Sequence, residues 1–147
     1  MSNNPAYNPT DPRYYDQKDL RTEVERIFSL CADCRMCVKY CGSFPTMFDA
    51  VDDYCTGRQI CRSRYQKLKT EDVHQIVDLC FQCKLCYIKC PYTPGDHEWA
   101  IDFPRLMARA KAQEVKKGVP LVDKLLGNPD LVGKLGTAIA PLAKLGQ

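Results

Sequence analysis

The chain has 147 residues, ten of them cysteine, a net charge of +3 and 45% hydrophobic residues, enough for one domain with a modest core. So small a charge, with no Lys/Arg block interleaved with aromatics, argues against nucleic acid as a partner. The opening MSNNPAYNPTDPRYYDQ lacks a basic-then-apolar leader and no apolar stretch is long enough to span a bilayer, so the expected location is a reducing cytoplasm, where thiols serve metals or redox work.

Residues 1–18, rich in Asn, Pro, Asp and Tyr and without apolar periodicity, read as an extended arm. Asp19 is the expected cap of a first helix in which Leu20, Val24, Ile27 and Phe28 share a face and lead into Cys31. A cysteine run ends at Cys41, and a Gly42-Ser43-Phe44-Pro45 turn is expected next. A short helix from Pro45 then carries Met47, Phe48 and Val51 on its apolar face. Residues 52–69 are polar, basic toward their end, and contain Cys55 and Cys61. Thr70 reads as an N-cap with Glu71 and Asp72 in the first turn, and Val73, Ile76 and Val77 line one face up to Cys80. After the second cysteine run and Pro91, a loop enters a helix near Phe103 and Pro104. No strand-like alternation is present. The expected fold is all-α: an arm (1–18), an α-helical two-cluster ferredoxin domain (19–117) and an apolar helical tail (118–147), with helix, cysteine run, turn and helix as an internal repeat.

The runs carry the chemistry. CADCRMCVKYC supplies Cys31, Cys34, Cys37 and Cys41; CFQCKLCYIKCP supplies Cys80, Cys83, Cys86 and Cys90, followed by Pro91. Both have the spacing C-x2-C-x2-C-x3-C, which belongs to two-cluster ferredoxins in which the fourth cysteine ligates the other cluster. A tight segment wraps three corners of a cubane, and short spacers let backbone N–H groups face the sulfurs, whereas the fourth corner faces away. The expected cofactors are therefore two [4Fe–4S] clusters. Cys31, Cys34, Cys37 and Cys90 are assigned to the first, and Cys80, Cys83, Cys86 and Cys41 to the second. The alternatives are structural zinc, which usually pairs two C-x2-C knuckles across a gap, and disulfides, which the expected compartment disfavours. The long, helix-prone segment between Cys41 and Cys80 favours an all-helical domain over the small strand-built ferredoxins.

The segments CADCRMCVKYCGSFPTMF, IVDLCFQCKLCYIKCPYTP and HEWAIDFPRLM resemble the N-terminal part of heterodisulfide-reductase-related Fe–S oxidoreductases. To the same broad group belong one of the subunits of anaerobic glycerol-3-phosphate dehydrogenase and the iron–sulfur subunit of glycolate oxidase. The resemblance covers about residues 20–145 and carries over only the eight run cysteines. It implies an α-helical ferredoxin domain passing electrons between a flavoprotein dehydrogenase and a further acceptor of quinone or disulfide type. Two departures stand out. Cys41 is followed by Gly42 where family members often have proline. No cysteine follows Cys90, whereas relatives usually continue into cysteine-rich acceptor modules, so the chain reads as a fragment or a stand-alone carrier.

No clustered acid/base or nucleophile set and no Gly-rich nucleotide loop is evident, so no catalytic residue is assigned. The rival functions are a cluster-based redox or iron sensor, which would usually carry a DNA-binding element, and a zinc-binding interaction module. Cys55 and Cys61 read as structural or free thiols rather than a third metal site. His74 is expected on a solvated helix face, His97 in a capping or packing role, and Trp99 and Phe103 in packing. The cations Arg58, Arg62, Arg64, Lys67 and Lys69 form a candidate docking face for an acidic partner. In the tail, Leu121, Val122, Leu125, Leu126, Leu131, Val132, Leu135, Ile139, Leu142 and Leu145 are interspersed with Lys124, Lys134 and Lys144. Packing on a missing domain or subunit is the favoured reading. A seat on the inner-membrane surface is less favoured, because the lysines form no dense basic face.

Overall fold

The computed structural model describes residues 5–53 and 68–144, with side chains through residue 138. Cys55, Cys61, Arg58, Arg62, Arg64 and Lys67 lie outside the described residues, as do the side chains of Ile139, Leu142, Lys144 and Leu145. All regular structure among the described residues is helical.

Helix α1 spans Gln17–Cys34 and runs straight into the first cysteine run. Its cap is Asp16, three residues before the expected Asp19. The Asp16 carboxylate accepts hydrogen bonds from the backbone N–H groups of Lys18 at 2.7 Å and Asp19 at 3.1 Å, meeting two of the unpaired donors of the first turn. Val24, Ile27 and Phe28 face inward as their spacing predicts. Helix α2, Ser43–Asp53, starts two residues before the expected Pro45, so Ser43 and Phe44 belong to the helix rather than to a turn. Phe44, Met47, Phe48 and Val51 form its buried face. Helix α3 is Thr70–Asp78. Thr70 is its first helical residue rather than its cap, and the N–H of Lys69 donates to the Asp72 carboxylate at 2.9 Å. Ile76 and Val77 are fully buried. Helix α4, Leu85–Lys89, is a little over one turn within the second run. Helix α5, Phe103–Lys117, opens on the buried Asp102, whose carboxylate accepts from the Arg105 N–H at 3.0 Å and whose carbonyl accepts from Leu106 at 3.0 Å.

The core joins α1, α2, α3 and the first part of α5 through Val24, Ile27, Phe28, Met47, Val51, Ile76, Leu106 and Met107. Phe103 stacks on Phe28 at 6.0 Å between centroids and on Phe44 at 4.6 Å, so three elements meet at one aromatic stack. Each such buried side chain contributes roughly 1.5–3 kcal/mol by area, as an upper estimate.

The chain divides into two compact units, Met1–Gln113 and Glu114–Gln147. The boundary falls inside α5, four residues before the expected 117. In the second unit, α6 (Leu121–Leu126) and α7 (Pro129–Lys144) pack on each other. The Asn128 carboxamide accepts from the Leu131 N–H at 3.2 Å at the start of α7. Leu121, Val122 and Leu126 are exposed. No helix among the described residues is long and apolar enough to cross a membrane.

Residues 5–16 differ from the expected extended arm: they are folded into the first unit. Asp11 caps a 3₁₀ helix, Pro12–Tyr15, by accepting from the Arg13 N–H at 2.9 Å. Ala6 and Tyr14 are buried, and the Tyr7 hydroxyl donates to Glu23 at 2.7 Å. The clasp is Arg109 of α5, which is fully buried. Its Nε donates to the Tyr14 carbonyl at 2.9 Å, and its Nη2 donates to the Arg13 carbonyl at 2.5 Å and to Asp19 Oδ1 at 2.7 Å. The Gln113 amide adds bonds to the carbonyls of Tyr14 at 3.0 Å and Asp16 at 3.2 Å. Asp19 thus serves as the partner of a buried cation instead of a helix cap. A buried guanidinium is tolerated only while such partners surround it. Replacing it strands carbonyls of residues 13 and 14 in the interior. Arg109→Met is therefore expected to raise amide exchange at Tyr14 and Asp16 roughly hundredfold, equivalent to about 3 kcal/mol. Hydrogen-exchange mass spectrometry checks this, and unchanged exchange refutes the clasp.

Candidate metal centre

Each cysteine of the second run follows its counterpart in the first by 49 residues, yet the two runs fold differently. Cys31 and Cys34 stand on the last turns of α1, which ends at Arg35 in the left-handed region (φ 52°) with its N–H on the Cys31 carbonyl at 2.8 Å. In the second run, Cys80–Lys84 is non-helical, and Gln82 (φ 56°) and Lys84 (φ 62°) both adopt positive φ around Cys83. What the runs share is the residue after the second cysteine. Arg35 and Lys84 occupy equivalent positions, both left-handed, and the carbonyl of each accepts the N–H of the residue three further on: Val38 at 3.2 Å and Tyr87 at 3.0 Å. The left-handed residue turns the chain so that the third cysteine can face the first two. Gly42 itself needs no glycine-only conformation, and a Cβ there would meet Leu79 at an ordinary 3.6 Å.

The tertiary fold brings the runs together. One pocket is lined by Cys31, Cys34, Cys37 and Cys90, with Phe44, Phe48, Tyr92 and Ile101 among its walls. Cys90, from the second run, thus sits with the first three cysteines of the first run. Cys41 in turn interacts electrostatically with Cys80 and Cys86. All eight run cysteines are free thiols.

Burial pushes the Cys31 thiol well above the ordinary thiol range, with Cys37, Cys90, Cys34 and Cys86 adding to it. Burial likewise raises Cys37 to about 11, reinforced by Cys90, Cys34 and Cys41. Cys86 is raised to about 12, by burial and then by Cys37, Cys41, Cys80 and Cys83. Cys80 and Cys90 are raised mainly by burial, against which the backbone N–H groups of Gln82 and Tyr92 respectively stabilise their thiolates. The Gln82 amide also lies 3.5 Å from the Cys80 sulfur. Thiols crowded together in a partly desolvated setting fit a site whose compensating charge comes from a metal, which holds its sulfur ligands deprotonated.

The remaining sequence expectations can now be placed. His97 accepts the Trp99 N–H at Nδ1 at 3.1 Å and packs on Tyr92 and Trp99, the capping and packing role expected of it. His74 is on an exposed face of α3, 3.0 Å from Asp78. Phe103 is core, whereas Trp99 is partly exposed against Tyr92. The sequence reading missed Arg35 as a local brace: it pairs with Asp52 through two bonds of 2.6 and 3.0 Å and lies over the Phe48 ring, tying the first run to α2.

The left-handed positions yield a direct test. Lys84→Gly is expected to preserve iron loading, because glycine adopts positive φ freely, while Lys84→Val is expected to lower it and to cost about 1–2 kcal/mol in stability. Iron and acid-labile sulfide analysis of reconstituted variants checks this; equal loading of the two refutes the conformational requirement.

Residues 24–117 match the family model of the citrate utilization protein B Fer4-like domain. No curated protein and no solved structure matches the chain. The matched span runs from within α1 to the end of α5 and includes all eight run cysteines, so the family and the thiol geometry point to the same iron–sulfur chemistry. The chain belongs to the family of the citrate utilization protein B Fer4-like domain, an iron–sulfur, ferredoxin-like family.

Proposed function

We propose that this chain is an electron-transfer component of an oxidoreductase complex, with Cys31, Cys34, Cys37 and Cys90 holding one [4Fe–4S] cluster and Cys80, Cys83, Cys86 and Cys41 a second. The observation that supports the reading is proximity: Cys90 lines the pocket of Cys31, Cys34 and Cys37, and Cys41 neighbours Cys80 and Cys86. When bound, such clusters take up and release single electrons. The chain's own residues hold the sulfurs and wall the first pocket with Phe44, Phe48, Tyr92 and Ile101. The Gln82 and Tyr92 N–H groups face two of the thiolates. Burial and N–H groups near sulfur are the levers by which a protein sets cluster potential.

The donor in this reading is a flavoprotein dehydrogenase, as for the heterodisulfide-reductase-related proteins that the sequence resembles. A flavin collects two electrons and releases them singly, which suits a pair of one-electron sites. The acceptor is of quinone or disulfide type, supplied by a cysteine-rich module or another subunit. The exposed apolar residues of α6 and α7 are the natural contact for that module.

Exchange of ligands has a distinct signature. Cys90→Ser is expected to damage the cluster of Cys31, Cys34 and Cys37, and Cys41→Ser that of Cys80, Cys83 and Cys86, each lowering iron content by up to about half. EPR of the reduced variants, together with iron analysis, identifies which cluster is altered. Loss of the cluster belonging to the mutated run itself refutes the exchange, and zinc in place of iron in the purified protein refutes the function.

A further inference from the structure

The two cysteine runs expose more apolar surface than their role as ligand loops requires. Phe81 is 82% exposed and Ile88 71%, and Met36, Val38, Tyr40 and Leu85 are exposed as well. These residues sit between the cysteines of runs that adjoin one another through Cys37, Cys41 and Cys86. Two of the interspersed cysteines, Cys34 and Cys83, are themselves exposed. Isolated exposed apolar residues are ordinary on a protein surface, but six within two adjoining loops mark a contact site.

The charges around them are one-sided. Lys39, Lys84 and Lys89 are exposed and belong to no ion pair among the described residues, whereas Arg35 is already neutralised by Asp52. The runs contain a single acid, Asp33. The outer surface of the two runs therefore combines exposed apolar side chains with a cationic surplus, the composition of a small interface.

We propose that this face of the cysteine runs is the docking surface for an acidic flavoprotein, which seats the apolar edge of its flavin against Phe81 and Ile88 while its carboxylates meet Lys39 and Lys89. This deepens the electron-transfer reading and rests on it. It also moves the docking site from the basic stretch around Arg62 and Arg64 to the runs themselves, where the exposed Cys34 and Cys83 shorten the path between partner and ligand. The small extent of the patch makes the complex transient and sensitive to salt, as fits a carrier that must be released after each turnover.

The test uses the reconstituted full chain and a flavodoxin, a small acidic flavoprotein, as the probe, with affinity read by surface plasmon resonance. At low salt the double variant Lys39→Glu, Lys89→Glu is expected to bind at least about tenfold more weakly than wild type, and added salt is expected to close the gap. Phe81→Ser, Ile88→Ser is expected to lose about tenfold in affinity with little salt dependence. Visible spectra and reduction potentials should remain those of wild type in both. If the lysines serve only to offset the charge of the clusters, charge reversal shifts the potentials and leaves affinity unchanged, which overturns the proposal. A wild-type chain that takes up electrons but whose affinity is indifferent to all four substitutions, or that does not bind flavodoxin, overturns the surface alone. A wild-type chain that takes up no electrons overturns both this surface and the electron-transfer reading.

Discussion

The rest of the first unit is arranged around one constraint: two cysteine runs separated by more than thirty residues meet, with Cys90 of the second run in one pocket with Cys31, Cys34 and Cys37 of the first. Crowded, partly buried thiols do not attract one another. Burial first, and then their neighbours' charge, disfavours the thiolates of Cys31, Cys37 and Cys86. The packing that brings them together comes from outside the site. Helices α2 and α3 do this by packing Met47, Phe48 and Val51 with Ile76 and Val77, which carries the start of the second run back to the end of the first. The Phe28–Phe103–Phe44 stack fixes α5 on the same core, and Ile101 at its entrance walls the first pocket. Hydrophobic burial thus supplies the free energy that brings the runs together, and a bound metal would stabilise the thiolates that burial disfavours.

The repeat in the sequence is not a repeat in backbone. The first run grows out of a long helix, so Cys31 and Cys34 inherit the spacing of a helical turn and Arg35 ends it. The second run follows a shorter helix that stops before Cys80, and two left-handed residues do by local bending what the helix does in the first. Both solutions converge on the same left-handed residue after the second cysteine. That shared point lies two residues before the third cysteine of each run, where the chain turns toward the first two.

Exposure divides the cysteine loops into two sides. Buried aromatics and aliphatics close the pocket side, whereas the outer sides of the same loops hold Phe81, Ile88 and the exposed lysines. A carrier needs both: walls that exclude water from the redox centre, and an outer surface a partner can reach. The N-terminal segment lies on neither. It is held by Arg109 through backbone carbonyls, a contact that ties α5 to the start of α1 and leaves the cysteine loops open.

The sequence by itself determined the chemistry and most of the helices. Cysteine spacing is a local property, so the two runs and the iron–sulfur chemistry of the family were legible in the sequence. Helical periodicity is equally local, and Val24, Ile27, Phe28, Met47, Val51, Ile76 and Val77 all fall inside where it put them. The tertiary structure decided what depended on distant residues. Asp16 rather than Asp19 caps α1 because Asp19 is drawn to Arg109, 90 positions away. The N-terminal segment packs instead of extending because carbonyls at residues 13 and 14 meet that same guanidinium, and no pattern within the first 18 residues announces it. Only the fold, too, could put Cys90 in a pocket with Cys31 while leaving Phe81 in solvent. Spacing along a chain says which sulfurs can share a ligand set, but burial depends on what the other helices cover.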